Sequence, residues 1–102
     1  MSKPDPEACR EQDHGKFEVI RRDGWARIGK FHTQHGIIDT PTLLPVINPN
    51  IKTITPRDMW DNYGVQGLIT NSYIIWKHEK LRIPALENGV HELIDFPGFI
   101  MT

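Results

Sequence analysis

Cysteine is almost absent from this chain: Cys9 is the only one, and it lies in a polar stretch near the amino terminus. Within these 102 residues a single thiol can build neither a disulfide framework nor a cysteine-rich zinc site. Proteins without disulfides are typical of reducing compartments. The sequence therefore predicts a cytoplasmic location.

Long hydrophobic runs and a dominant charge sign are also lacking. No apolar stretch reaches the roughly 18 residues that a membrane-spanning helix needs, and the first stretch, MSKPDPEACREQDHG, is polar throughout. We therefore expect neither secretion nor membrane spanning. Twelve Lys and Arg against thirteen Asp and Glu give a formal net charge of -1. Because no strong basic field exists, any contact with a polyanion must be local or supplied elsewhere.

A small antiparallel sheet is predicted by the first alternating segments. FEVIRR and ARIGKFHT each alternate apolar and polar residues on either side of Asp23-Gly24. Asp-Gly accepts the positive φ that tight hairpin turns require. Residues 34–36 form a second turn, and 37–40 form a third strand that Pro41 ends.

The middle of the chain has the order strand, helix, strand. LLPVI, residues 43–47, is a continuous apolar run typical of a strand covered on both faces, made irregular by Pro45. Thr55 and Pro56 begin a helix, since one can cap free amides and the other suits the first helical position, and Gly64 ends it. A second apolar strand, VQGLIT, follows. This order predicts a right-handed βαβ unit with parallel pairing.

The last third of the chain has weaker signals. SYIIWKHEKLRIP predicts a helix broken at Pro84, and VHELI predicts a short helical turn. Residues 99–102 begin a third apolar strand. The predicted fold class is therefore α/β.

Four segments resemble, in the same order and at family-like spacing, the start of tRNA-guanine transglycosylases, most closely the archaeal enzymes that make archaeosine. They are FEVIRRDGWARIGK, IIDTPTLLPVINPN, ITNSYIIWK and GVHELIDFPGFIMT. The resemblance implies an α/β fold, the amino-terminal part of a (β/α)8 TIM barrel preceded by a small antiparallel sheet. It divides the chain into a mobile tail, residues 1–15, and an incomplete amino-terminal portion of the catalytic barrel, residues 16–102, since a whole barrel needs about 250 residues.

The activity that this resemblance implies is the exchange of guanine in tRNA for 7-cyano-7-deazaguanine. Displacement at the ribose C1′ calls for a carboxylate beside that carbon, and the base must leave its stack. The family's two catalytic aspartates and its cysteine-rich zinc site match nothing in this sequence. We therefore assign no catalytic residue and no metal ligand here, and expect the chain alone to be inactive. Zinc and a homodimer are implied for the full-length enzyme.

Substrate-binding residues follow from the same resemblance. Val46 and Ile69 match an apolar patch under the ribose, and Asn71 matches an asparagine that hydrogen-bonds near the catalytic carboxylate. Ser72 is included because active sites gather at the carboxyl ends of barrel strands. Thr70 agrees with the archaeal pattern, whereas the bacterial one has glycine, which favours archaeosine over queuosine chemistry. Without the resemblance, Val46 and Ile69 fit an ordinary core and Asn71 an ordinary turn equally well.

Several other polar residues receive a structural interpretation. His32 and His35 flank a turn but lack a third ligand, so a zinc site there is disfavoured. His78 and His91 lie in charged surroundings and are expected on the surface. Asp95, within IDFPG, is expected in a turn or a helix cap.

Two further sets of residues could contact RNA. Arg21, Arg22 and Lys30 are interpreted as a solvated strand face, since the net charge is balanced. Tyr73 and Trp76 are expected to face a core of helix and sheet, not bases. The competing hypothesis is a non-catalytic tRNA-binding or accessory module, which would need a closed sheet and a basic face.

Overall fold

The predicted tail falls mostly outside the residues that the computed structural model describes, which are 10–51 and 53–102. Cys9 lies outside them as well. A single 3-10 turn spans Glu11–Asp13, and the N–H of Gly15 donates to the carbonyl of His32 at 2.8 Å. The residues just before the first strand are therefore bonded to the sheet.

The antiparallel sheet forms where the sequence alternates. Its strands are β1 (Phe17–Asp23), β2 (Ala26–Thr33) and β3 (Gly36–Thr40), hydrogen-bonded in that order. Asp23 pairs with Ala26, so Gly24 and Trp25 form the first turn, with Gly24 at φ 61°. Glycine adopts that conformation without steric cost. The predicted sheet is confirmed.

The first helix, α1 (Pro56–Tyr63), begins and ends as predicted. The hydroxyl oxygen of Thr55 accepts the N–H of Asp58 at 3.1 Å, which satisfies one of the free amides of the first turn. Gly64 ends the helix at φ 67°. These local signals determine the helix boundaries without help from the rest of the fold.

The predicted break at Pro84 is wrong. Two helices, α2 (Ser72–Lys77) and α3 (Glu79–Asn88), meet at His78, whose backbone is extended at φ −101° and ψ 115°. Pro84 lies inside α3. Proline removes one helical bond, here the one to the carbonyl of Lys80, an exposed residue whose carbonyl water can reach. The short helix α4 (Val90–Ile94) then follows as predicted.

The second sheet has two parallel strands, and a third segment runs alongside it. β4 (Gly67–Ile69) pairs in parallel with β5 (Phe99–Met101). On the other side of β4, Val46 forms a single parallel bridge with Ile69. The expected strand over 43–47 is therefore reduced to one bridge. Pro45 explains this, because it offers its carbonyl to the N–H of Ile69 at 2.8 Å but has no N–H to give.

The main core lies on one face of these parallel segments. Ile47 and Leu68 pack there with Trp60 of α1, Ile94 of α4 and Phe96. The rings of Trp60 and Phe96 meet edge to face with centroids 5.9 Å apart. Coverage on both faces, expected for the 43–47 run, is wrong for the described residues: Leu43 and Val46 are largely exposed to solvent.

The antiparallel sheet packs against the amino ends of β4 and β5. The ring of Phe31 meets that of Phe99 edge to face, 5.7 Å between centroids. The Gln66 side chain accepts the N–H of Asp39 at 2.8 Å and donates to the carbonyl of the same residue at 3.0 Å. The carboxyl ends of the parallel segments are left clear of this sheet.

The structure is thus a mixed α/β arrangement with a small antiparallel sheet, and the complete barrel stays a prediction. Within the described ranges, no helix has the length and apolar character that crossing a membrane requires.

Leu68→Ala tests the core. Leu68 is 0% exposed, and we expect truncation to reduce the free energy of unfolding by about 2–5 kcal/mol through lost burial and the cavity left behind. Leu86→Ala is the matched control, because Leu86 is 71% exposed. Urea denaturation followed by circular dichroism measures both variants. Equal losses in the two would contradict the placement of the core.

Candidate functional site

The open face of the parallel segments carries three apolar side chains in lateral register. Val46 is bridged to Ile69, and Ile69 is paired with Met101. Because paired residues of neighbouring strands point to the same face, these side chains form one row across the sheet, here called the apolar row. Val46 is 77% exposed and Met101 45% exposed. The row is an apolar surface at the carboxyl ends of the strands.

Thr70 joins the three strand ends beneath this row. Its N–H donates to the carbonyl of Met101 at 2.9 Å, and its hydroxyl donates to the carbonyl of Ile47 at 3.4 Å. The residue is 2% exposed. Since a buried hydroxyl must be satisfied, Thr70 bonds to the segments on both sides of it.

Asn71 begins helix α2 directly beyond the row. Its side-chain oxygen accepts the N–H of Tyr73 at 2.8 Å and that of Ile74 at 3.4 Å, so it caps the helix. In the described part of the chain, nothing accepts a hydrogen bond from its side-chain amide nitrogen, and the residue is exposed. One end of the Asn71 amide is therefore occupied and the other is open to a ligand.

Two of the four candidate residues line separate depressions in the described part of the chain. Val46 lines a depression of about 250 Å³ together with Asn48, Ile51 and others. Ser72, the first residue of α2, lines a different one of about 210 Å³ between α2 and α3. Asn71 lines neither. All four lie at the same edge of the parallel segments, at the carboxyl end of β4 or of the 43–47 segment bridged to it.

A stacked histidine pair, missed by sequence reasoning, supports the approach to β5. The rings of His35, in the β2–β3 turn, and His91, in α4, are 3.6 Å apart between centroids and inclined by 20°. His91 Nε2 lies 2.8 Å from the carbonyl oxygen of Gly98, just before β5. His91 was expected on the surface, but the stack half-buries it. No local pattern announces a contact between residues so distant in the sequence.

Burial determines the titration of this pair. It lowers the pKa of His35. It also lowers the pKa of His91, with a further lowering from the neighbouring His35 and an opposing effect of the Gly98 carbonyl. Both rings therefore favour the neutral form, which stacks without repulsion.

The remaining polar candidates have structural partners. His32 Nε2 lies 2.5 Å from Glu18 Oε1. Asp95 ends α4 in the left-handed conformation at φ 56° and pairs with Arg57 at 3.2 Å, which confirms the predicted cap.

No set of three or more His, Cys, Asp or Glu in residues 10–51 and 53–102 is placed to hold a metal ion. The residues described here therefore do not fit a zinc ion.

The expectation for the two aromatic residues of α2 is wrong. Tyr73 and Trp76 are largely exposed, not packed in a core of helix and sheet. The buried face of this helix is supplied by Ile75. Lys77 lies over the Tyr73 ring and Arg82 over the Trp76 ring, at 5.9 and 5.5 Å from the centroids. Flanking cations thus cover part of both rings.

Asn71→Ala should remove the cap of α2. We expect a loss of about 1 kcal/mol in the free energy of unfolding, since two helical amides lose their acceptor. Asn71→Asp retains an acceptor oxygen at the same place and should keep near-native stability. Urea denaturation of the two variants decides: an alanine variant as stable as the aspartate variant contradicts the capping role.

His35→Phe tests the histidine pair. Because both pKa values are lowered on folding, the unfolded chain binds more protons, so stability is present above about pH 6.5 and falls as the pH drops below it. Phenylalanine keeps the stack but does not titrate. The thermal midpoint should therefore fall less between about pH 7.5 and about pH 5.5 in the variant than in the native chain. An identical fall of the thermal midpoint in the variant and the native chain would show that the histidine pair does not contribute to the pH dependence of stability.

The sequence of this site has clear relatives. Residues 23–102 match the family model described as queuine tRNA-ribosyltransferase. A Methanosarcina mazei protein named tRNA-guanine(15) transglycosylase is 55% identical over 86 residues, 84% of this chain and 17% of that protein. A Thermoplasma acidophilum protein of the same name is 58% identical over 86 residues, 84% of this chain and 13% of the relative.

The chain therefore spans less than a fifth of the length of these relatives. Both alignments cover 86 residues of it, enough to include both sheets and the helices between them. The resemblance inferred from the four segments is confirmed. Since the family model covers well over half of its residues, the chain belongs to the queuine tRNA-ribosyltransferase family.

Proposed function

We propose that this chain forms part of a tRNA-guanine transglycosylase of the archaeosine type, which exchanges guanine in tRNA for 7-cyano-7-deazaguanine. The observation that carries the proposal is the apolar row with Asn71 directly beyond it, at the carboxyl ends of parallel strands. Enzymes with such strands gather their active sites at that end. The names of the relatives, which specify guanine 15, support that tRNA position.

The apolar row is suited to one part of the reaction. A nucleoside that leaves the base stack exposes its ribose carbons and the flat faces of its base. An apolar protein surface replaces the contacts that the stacked bases made with them. Val46 and Met101 offer exposed apolar area beside Ile69. We assign to this chain one wall of the nucleoside pocket and no catalytic group.

Asn71 is suited to a second part of the reaction, the positioning of the catalytic carboxylate. The side-chain oxygen of Asn71 already accepts two helical amides, which orients the amide group and leaves its two N–H donors for another acceptor. A carboxylate acting at C1′ must stay ionised and correctly aimed, and an amide donor favours both. We propose that Asn71 donates to that carboxylate, which other residues of the enzyme supply.

Thr70 supports the archaeal branch of the chemistry. Its hydroxyl bonds to the carbonyl of Ile47, a bond that the glycine of the bacterial pattern could not make. For the whole enzyme we propose zinc, bound by residues other than those described here, a homodimer, and a cytoplasmic location where tRNA is available.

A chimera tests the function. The 86 matched residues of the Methanosarcina mazei relative are replaced by those of this chain, and incorporation of labelled guanine into tRNA is measured. We expect a rate within roughly tenfold of the parent enzyme, or about 1.4 kcal/mol of transition-state free energy. The 102-residue chain alone should incorporate none. A correctly folded but inactive chimera, or incorporation by the chain alone, would overturn the proposal.

Within that chimera, Asn71→Asp separates binding from stability. Aspartate keeps the helix cap but replaces the N–H donors by a second negative charge, so we expect kcat to fall about 100-fold with an unchanged thermal midpoint. Asn88→Asp is the matched control, since it makes the same chemical change at an exposed residue at the end of α3. Equal activity of the two variants would remove Asn71 from the site.

A further inference from the structure

The tip of the β1–β2 hairpin concentrates cations around one bare indole. Arg21 and Arg22 lie in β1, Arg27 lies in β2, and Trp25 is in the turn between them. These four residues are here called the arginine hairpin. All three arginines are exposed, and Trp25 is 96% exposed. Nearly the whole surface of a large apolar ring thus remains in water, next to positive charge.

The register of the sheet places two of these arginines against each other. Arg22 pairs with Arg27 across the hairpin, and like charges in directly opposite positions destabilise a sheet. Farther along β2, Lys30 is opposite Asp39 and forms an ion pair of 2.6 Å. On β2, therefore, Lys30 lies opposite an acidic residue, whereas Arg27 lies opposite another cation.

The tip carries more positive than negative charge. Among residues 10–51 and 53–102, no ion pair involves Arg21, Arg22 or Arg27, whereas Arg10, Lys30 and Arg57 each have an acidic partner. Asp23 is the one acid within the hairpin tip, and it pairs in register with Ala26. A depression of about 240 Å³ lies beside the turn, and the three arginines, Asp23 and others line it. The tip thus has unbalanced positive charge and a concave surface.

We propose that the arginine hairpin binds unpaired RNA, with its arginines on phosphates and Trp25 stacked on a base. The partner rests on the proposed function, which makes tRNA the substrate. The chemistry is specific in its own right: arginine matches phosphate geometry, and an exposed indole offers a flat face for a base. Because the net charge is -1, the chain has no general basic field, so the attraction comes from the local charge of this hairpin. Arg21 and Arg22 are exposed, as expected for a solvated strand face, and the proposal adds a ligand for that face.

The test measures binding of this chain to a fluorescent single-stranded RNA of about twelve nucleotides by anisotropy. Arg22→Gln/Arg27→Gln should weaken binding roughly tenfold and reduce the slope of log affinity against log salt by about 1.4, or about 0.7 for each lost phosphate contact. Lys16→Gln/Lys80→Gln is the control, since it removes the same charge at two exposed residues away from the tip. The control should change affinity less than about twofold.

Two further variants distinguish recognition from folding. Arg27→Glu converts the repulsive cross-strand pair into an attractive one, so the thermal midpoint should hold or rise while RNA affinity falls. Trp25→Ala should weaken binding at least about fivefold and Trp25→Phe much less, because phenylalanine still stacks. A fall of both stability and affinity in Arg27→Glu would indicate a structural role and overturn the inference.

The remaining outcomes are equally decisive. Undetectable RNA binding by the native chain, or equal losses in the hairpin and control variants, overturns the proposal. Displacement of the RNA by polyglutamate at equal charge concentration would identify an acidic protein surface as the partner, and would overturn it too. Guanine exchange by the chimera is scored separately, so failure of the hairpin leaves the transglycosylase function standing and the reverse also holds.

Discussion

The pleat of β4 is the constraint on which both the core and the candidate site depend. Leu68 and Thr70 point to the face that α1 and α4 cover, and Ile69 between them points to the open face. A register slip of one residue would bury Ile69 and expose Leu68, which would remove the core and the apolar row together. Burial of Leu68 therefore also holds Ile69 beside Val46 and Met101.

The two ends of the parallel segments are stabilised by different contacts. At the amino end, Phe31 and Gln66 join the two sheets through ring contact and backbone-directed hydrogen bonds. At the carboxyl end, Asn71 begins a helix and Thr70 links the neighbouring segments. Because Asn71 caps its helix and Thr70 bonds to both neighbouring segments, a ligand there would meet a surface that is already ordered, which lowers the entropy cost of binding.

Charge is used in two ways within the antiparallel sheet. Where Lys30 faces Asp39, opposite charges across strands stabilise the pairing. Where Arg22 faces Arg27, like charges repel each other at an exposed tip. Local sequence could show that arginines cluster near a turn, but only the pairing register shows that two of them lie directly opposite each other.

The sequence by itself determined the features that depend on neighbouring residues: the hairpin at Gly24, and α1 with its boundaries at Thr55 and Gly64, since caps and positive φ act within a few bonds. It also determined the family, through four segments in order. Only the tertiary structure decided that Pro84 lies within a helix, that His35 stacks on His91, and that the 43–47 run pairs through one bridge with one face open. These outcomes depend on which distant segments pack together. The hydrophobic effect is non-directional and acts between residues at any separation along the chain, so local sequence patterns do not reveal these contacts.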